Sequence, residues 1–232
     1  MGYIIECKTM QATAVKVVAD TLNSLLRDIN LTFTPFYIEN TVSDSDSDNS
    51  DDEEESVNEE KKIGGVIIKE VNKTSSILVY AKLNADKFDH YVYNYKKNKF
   101  TIGVNLANFL KCLKCMTSLD AMSWMVDEED INKLIITLES NERNEKKTFR
   151  LNLMDVEEED LEIEPVQFPY MCSLPSQDFH KYCKDMAQAA SKIEIKCTQT
   201  KLYFSGKGES IYSDFECGEH VGGLQIAVNT DK

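Results

Sequence analysis

Apolar residues recur along this chain with two periods. Over 11–28, Val15, Val18, Leu22, Leu25, Leu26 and Ile29 stand three and four apart, the spacing that lines one face of a helix. Lys16, Asn23 and Arg27 fall away from that face. The helical period returns over 106–115, where Leu106, Phe109, Leu110 and Leu113 form the stripe and Asn105 stands where a cap belongs. It returns again over 176–186, with Phe179, Cys183 and Met186 inward. Elsewhere apolar and polar residues alternate or run short, as in strands. The pattern predicts strands at 3–7, 31–39, 64–71, 76–83, 88–95, 99–102, 121–126, 134–138 and 148–153, then at 168–174, 192–197, 201–205, 211–216 and 224–228. The class expected is α+β, with helices packed on antiparallel sheets.

The second half opens as the first does, with a strand, a helix and further strands. Between them lies 153–165, which reads as the seam of a duplication into two similar domains, 1–152 and 166–232. Its carboxylates (Asp155, Glu157, Glu158, Glu159, Asp160, Glu162, Glu164) repel one another and favour an extended backbone. Leu161 and Ile163 sit two apart and share one face of such a chain. The segment offers a partner an apolar stripe; an ordinary charged linker fits the same residues. The second half lacks counterparts of the helix at 106–115 and of the strands after it. A fragment or a degenerate form is expected, leaving apolar residues such as Ile195, Leu202 and Phe204 on the surface.

Charge alters the picture at one place. The formal net charge of the 232 residues is -14, which opposes bulk attraction to nucleic acid or an anionic membrane. Ten carboxylates and no basic residue lie within 43–60, a composition that cannot bury enough apolar surface to fold. An acidic, disordered insert over 41–62, grafted into a hairpin, is therefore expected, and outside it the charge is nearly balanced. Its serines stand beside acids and are candidates for phosphorylation. Seven cysteines, an odd count without a signal-peptide pattern, point to a reduced compartment.

Catalytic chemistry finds little support. There are three histidines and no Gly-rich phosphate loop, nucleophile elbow or helical His-Glu zinc pattern. Cys112 and Cys115 have the spacing of a metal or redox pair, but no second pair or histidine stands at ligand spacing. No enzyme, metal or cofactor is expected. The lysines are more informative. Lys111 and Lys114, and again Lys181 and Lys184, stand three apart on the helix face opposite the apolar stripe, an arrangement suited to phosphates rather than bases.

Three runs carry a resemblance. FTIGVNLANFLKCLKC at 100–115 is similar to the signature region of the proliferating cell nuclear antigen family, the sliding clamps. LMDVEEEDLEI at 153–163 resembles that family's interdomain connecting loop, and LPSQDF with CKDM at 174–186 resembles the first helix of its second domain. Weaker similarity extends to about residue 219.

The resemblance implies a DNA-clamp fold: a ring of three subunits, each of two similar domains, with sheets outside and helices around duplex DNA. Such a clamp tethers polymerase and other replication and repair proteins, is opened by a clamp loader, and works in the nucleus or a viral replication compartment without cofactors. By position, Lys16, Lys111, Lys114, Lys181 and Lys184 would face the DNA backbone, with Asn23 standing where the family is basic. Val71, Ser76, Leu161, Ile163 and Phe168 would receive the apolar anchors of partner peptides. Subunits would join where 148–153 pairs with 211–216 of a neighbour. A checkpoint-type clamp subunit, or an acidic peptide-binding scaffold that never encircles DNA, is the alternative.

Overall fold

The structure, a computed structural model, describes residues 2–41, 59–117, 119–140, 142–155 and 168–228. The chain divides into two compact units, Met1–Leu161 and Glu162–Lys232.

The first unit contains β1 (Tyr3–Thr9), α1 (Ala12–Asn23), β2 (Asp28–Thr41), β3 (Glu59–Val71), β4 (Leu78–Asn84), a short 3-10 turn (Ala85–Lys87), β5 (His90–Tyr93), β6 (Phe100–Asn105), α2 (Leu106–Leu113), β7 (Ala121–Asp127), β8 (Lys133–Ser140) and β9 (Glu145–Asn152). They form two antiparallel sheets, ordered β5-β1-β7-β8-β9 and β4-β3-β2-β6. Both helices pack side by side, and one core runs through sheets and helices. At its centre Trp124 of β7 meets Phe109 of α2 edge-on at 5.7 Å and Phe88 at 6.4 Å. Apolar residues at alternate positions of β7 and β8 (Met122, Trp124, Val126; Leu134, Ile136, Leu138) are buried, as period two requires of a sheet with one covered face.

Two expectations need correction here. The helical spacing over 11–28 overruns the helix, which ends at Asn23. Ser24 donates its Oγ to Thr21 O at 2.6 Å, and the amides of Leu25 and Leu26 share Leu22 O. From Asp28 the backbone is paired with β6, so Leu25 is left exposed while Leu26 and Ile29 reach the core from outside the helix. The acidic stretch expected over 41–62 is strand at both ends, since Thr41 pairs with Glu59 and Ile38 with Lys62; residues 42–58 lie outside the described residues.

The second unit contains β10 (Tyr170–Ser173), α3 (Ser176–Met186), β11 (Ile193–Cys197), β12 (Lys201–Lys207), β13 (Tyr212–Gly218) and β14 (Gln225–Val228). Its sheets are β10-β14 and β11-β12-β13. The plan repeats the first unit's opening: β10 pairs with β14 as β1 pairs with β5, and β11-β12-β13 follows the order β2-β3-β4. Nothing among the described residues corresponds to β6, α2 and β7 through β9.

Met186, Leu202, Phe204 and Leu224 form this unit's core. The expectation that Leu202 and Phe204 lie on the surface is overturned: both are buried, because α3 lies over β12, with Tyr182 and Phe179 against the Phe204 ring at 5.4 and 6.1 Å. Ile195, opposite Phe204 on the edge strand β11, is beyond the helix's cover and stays 51% exposed. Phe179, expected inward, rests on Phe204 with one side still exposed.

Candidate nucleic-acid interface and partner surface

The signature run builds α2 from its start. Asn105 ends β6 and caps the helix: its Oδ1 accepts from the amide of Asn108 at 3.1 Å, and its Nδ2 donates to Asp28 Oδ1 at 2.6 Å. Leu106 N donates to Arg27 O at 3.0 Å. One side chain thus satisfies a free helix amide and ties the helix to the first residue of β2. With the stripe Leu106, Phe109, Leu110 and Leu113 buried, Lys111 and Lys114 are exposed. Lys111 Nζ donates to Asn108 Oδ1 at 3.0 Å. Both cations lie in the last turn or at the C-cap, where the helix dipole favours them.

On α1, packed beside α2, Lys16 is half-buried, and Val17, Asp20 and Asn23 are exposed. The cationic character of this helix pair therefore resides mainly on α2. In the second unit, α3 carries Asp178 in its first turn and Lys184 in its last, and exposes Lys181 and Lys184.

Several strand lysines are ion-paired, and the helix lysines expected to face DNA are not. Lys8 and Lys146 both donate to Glu139, at 3.2 and 2.9 Å, and hold its carboxyl below the ordinary range. Lys133 pairs with Asp130 at 2.7 Å, and Lys201 with Glu216. Among the described residues, none of Lys16, Lys111, Lys114, Lys181 and Lys184 is ion-paired. Exposed cations without a carboxylate partner retain their full charge for an external anion.

Of the expected peptide-binding residues, Val71 ends β3 half-buried and Ser76 lies in the exposed turn that follows. Asn72 shapes this turn: its Oδ1 accepts from the amides of Ser76 and Ile77 at 2.9 and 3.0 Å, while its Nδ2 donates to Thr74 Oγ1 at 2.9 Å. Leu161 and Ile163 lie outside the described residues, and Phe168 belongs to the second unit, where it is exposed. Val71 does have an apolar neighbour that the sequence reading left out. Leu78 is its cross-strand partner, and Tyr80 follows on the same face; both are exposed. Their period-two spacing on a strand beginning beside Ser76 was the available signal. A cleft of about 500 Å³ adjoins, lined by Asn23 to Asp28 and Val71 to Thr74.

The connecting segment is anchored where it leaves β9. Leu153 N donates to Asn132 O and Met154 N to Gly103 O, each at 2.9 Å. Gly103 permits that approach, since a Cβ there would stand 2.7 Å from Met154 O. At the unit edges, β9 ends the five-stranded sheet and β13 the three-stranded one. Cys112 and Cys115 donate their thiols to the carbonyls of Asn108 and Cys112, and no group of three potential metal ligands occurs among the described residues.

Two family profiles match in succession: proliferating cell nuclear antigen, N-terminal domain, over residues 51–161, and proliferating cell nuclear antigen, C-terminal domain, over 162–220. The chain belongs to the proliferating cell nuclear antigen family. The two matches meet where the compact units meet. Proliferating cell nuclear antigen of Caenorhabditis elegans is 30% identical over 132 residues, 57% of this chain and 49% of that protein. That of Saccharomyces cerevisiae is 27% identical over 153 residues, 66% and 58% respectively. A probable DNA polymerase sliding clamp of Acanthamoeba polyphaga mimivirus is 24% identical over 218 residues, 89% of this chain and 46% of that one. The chain thus spans about half the length of these relatives. In fold it is similar to the crystal structure of the Entamoeba histolytica antigen, with a TM-score of 0.76 and 22% identity over 99% of this chain and 78% of that one.

Proposed function

We propose that this chain is a subunit of a DNA sliding clamp, a ring that encircles duplex DNA and serves as processivity factor and docking platform for a DNA polymerase and for replication and repair proteins bearing short peptide motifs. The observation that carries this reading is that the lysine pairs of α2 and α3, Lys111 with Lys114 and Lys181 with Lys184, stand exposed on their helices and, among the described residues, without a carboxylate partner. Unpaired cations on helix faces attract phosphates through a sequence-independent, salt-screened interaction, which holds a ring near DNA without fixing its position. Lys16, Lys111, Lys114, Lys181 and Lys184 are the DNA-facing residues in this reading. Val71, Ser76, Leu161, Ile163 and Phe168, joined by Leu78 and Tyr80, receive partner peptides.

The ring is a homotrimer closed by β9 of one subunit pairing with β13 of the next, which removes two open sheet edges at once. A clamp loader opens it, and it acts in a nucleus or viral replication compartment. The protein is a scaffold rather than an enzyme. The test is primer extension by a clamp-dependent polymerase with Lys111, Lys114, Lys181 and Lys184 replaced by Ala. Shorter products at an unchanged solution mass are expected; unchanged product length would remove these lysines from the DNA interface.

A further inference from the structure

Trp124 is the chain's sole tryptophan and is 3% exposed. Among the described residues, its Nε1 is the one buried side-chain polar atom without a hydrogen-bond partner. Phe109 and Phe88 stand edge-on to the ring, and neither supplies a lone pair. A buried donor left unpaired carries a desolvation penalty that phenylalanine in the same place would avoid. The indole also borders a void. A cavity of about 20 Å³ lies between α1 (Val15, Ala19, Leu22), α2 (Leu106, Phe109) and Trp124, and apolar side chains of the strands close it. Water fits such a volume but needs at least two polar partners, and no lining side chain besides the indole offers one.

A second space leads towards this cavity from the surface. A groove of about 190 Å³ runs between the start of α1 and the end of β4. It shares Val15, Val18 and Leu83 with the cavity, so these three side chains form the partition. Val18 and Leu83 are only half-buried, and Leu83 belongs to the edge strand β4, where a rotamer change meets little resistance. Phe88 links the two spaces, since it lines the groove and its ring stands 6.4 Å from that of Trp124. The mouth is polar, with Gln11 and Asn84 exposed there.

We propose that groove and cavity together bind a small, neutral aromatic molecule bearing one hydrogen-bond acceptor. Its ring lies over Val15, Val18 and Phe88, and its acceptor receives the Trp124 N–H once Leu83 turns aside. Apolar walls with a single placed polar group are the usual make-up of a small-molecule site. Pairing the indole removes the penalty of its burial. The acceptor is uncharged because the inner wall holds no cation to match a charge. The polar mouth leaves the outer edge of the ring free to carry hydrophilic groups. None of the residues assigned above to DNA or to partner peptides lines either space.

The test uses the full chain labelled with nitrogen-15, in which a sole tryptophan gives a single indole N–H resonance. Two probes are compared: acetophenone, and ethylbenzene, which has a similar shape but no carbonyl. Acetophenone should move the indole resonance downfield in a saturable way, whereas ethylbenzene should bind about tenfold more weakly without a downfield shift. By calorimetry, Trp124→Phe, which keeps a ring but loses the N–H, should lower the affinity for acetophenone to that for ethylbenzene. Ala14→Leu changes an exposed groove residue of α1 rather than the core, and should weaken binding of both probes about tenfold or more by filling the groove. An indole resonance that acetophenone leaves in place, equal shifts or equal affinities for the two probes, or unchanged binding to the Ala14→Leu chain would each overturn the proposal.

Discussion

Asp120 shows how one carboxylate can hold a turn. Its side chain is buried and accepts from the amide of Thr117 at 2.9 Å and from its hydroxyl at 2.6 Å. These hydrogen bonds keep its carboxyl below the ordinary value, so the stabilisation is present above the unfolded carboxyl range, about pH 4, and is lost as pH falls through the lower folded value. Asp120→Asn is expected to cost about 1–2 kcal/mol at pH 7. In urea unfolding the gap from the unmutated chain should narrow towards pH 3; a gap independent of pH would dismiss the carboxylate as its source. Gly103 makes a steric rather than an electrostatic argument. Gly103→Ala places a methyl against the Met154 carbonyl and is expected to cost about 1–3 kcal/mol. Amide exchange at Met154 should quicken. The Gly103 effect was not visible in the sequence, because it arises from residues brought together by folding.

At the scale of the element, α2 was the most legible part of the chain. Its stripe and its capping Asn105 were read from spacing alone, and both stand in the structure. Asn105→Ala removes the cap together with the tie to Asp28, and a loss of about 1–2 kcal/mol is expected in thermal or urea unfolding. The lysine pair should then bind DNA less well in step with lost helicity, so circular dichroism and DNA binding should fall together. The reading of α1 overran for a physical reason. Leu25, Leu26 and Ile29 continue the helical period, but β6 pairs with the backbone from Asp28 onward. Ladder pairing and burial of Ile29 outweigh the weak preference for another turn of helix. Boundaries of β2 and β3 were misplaced likewise: polar composition around residues 41 and 59 suggested loop, whereas cross-strand pairing carries the strands to both.

At the scale of the whole molecule, the dominant quantity is charge. Without 43–60 the formal net charge would fall from -14 to about -4, since ten carboxylates lie there. Deleting that stretch should strengthen non-specific association with duplex DNA at low salt and leave it little changed at high salt, where screening is strong. A filter-binding salt titration checks this; equal binding by both forms would show that the acidic stretch does not act through its field. Solution mass addresses the ring. Light scattering should return about three times the 26.4 kDa of one chain, because single subunits would leave β9 and β13 as open edges. A persistent monomer would contradict closure through those strands.

The sequence by itself determined the α+β class, the three helices, most strands, the lysine pairs and the family, because each rests on local spacing or on contiguous motifs. Tertiary structure decided what depends on distant residues. It chose which apolar side chains are covered, burying Leu202 and Phe204 under α3 while leaving Ile195 on an edge strand. It set Leu78 beside Val71 through strand register, paired Lys8, Lys133, Lys146 and Lys201 with carboxylates, and carried the pairing of β2 with β3 beyond the reach of β4 and β6. Periodicity reports which face of an element is apolar; only packing selects what lies against that face.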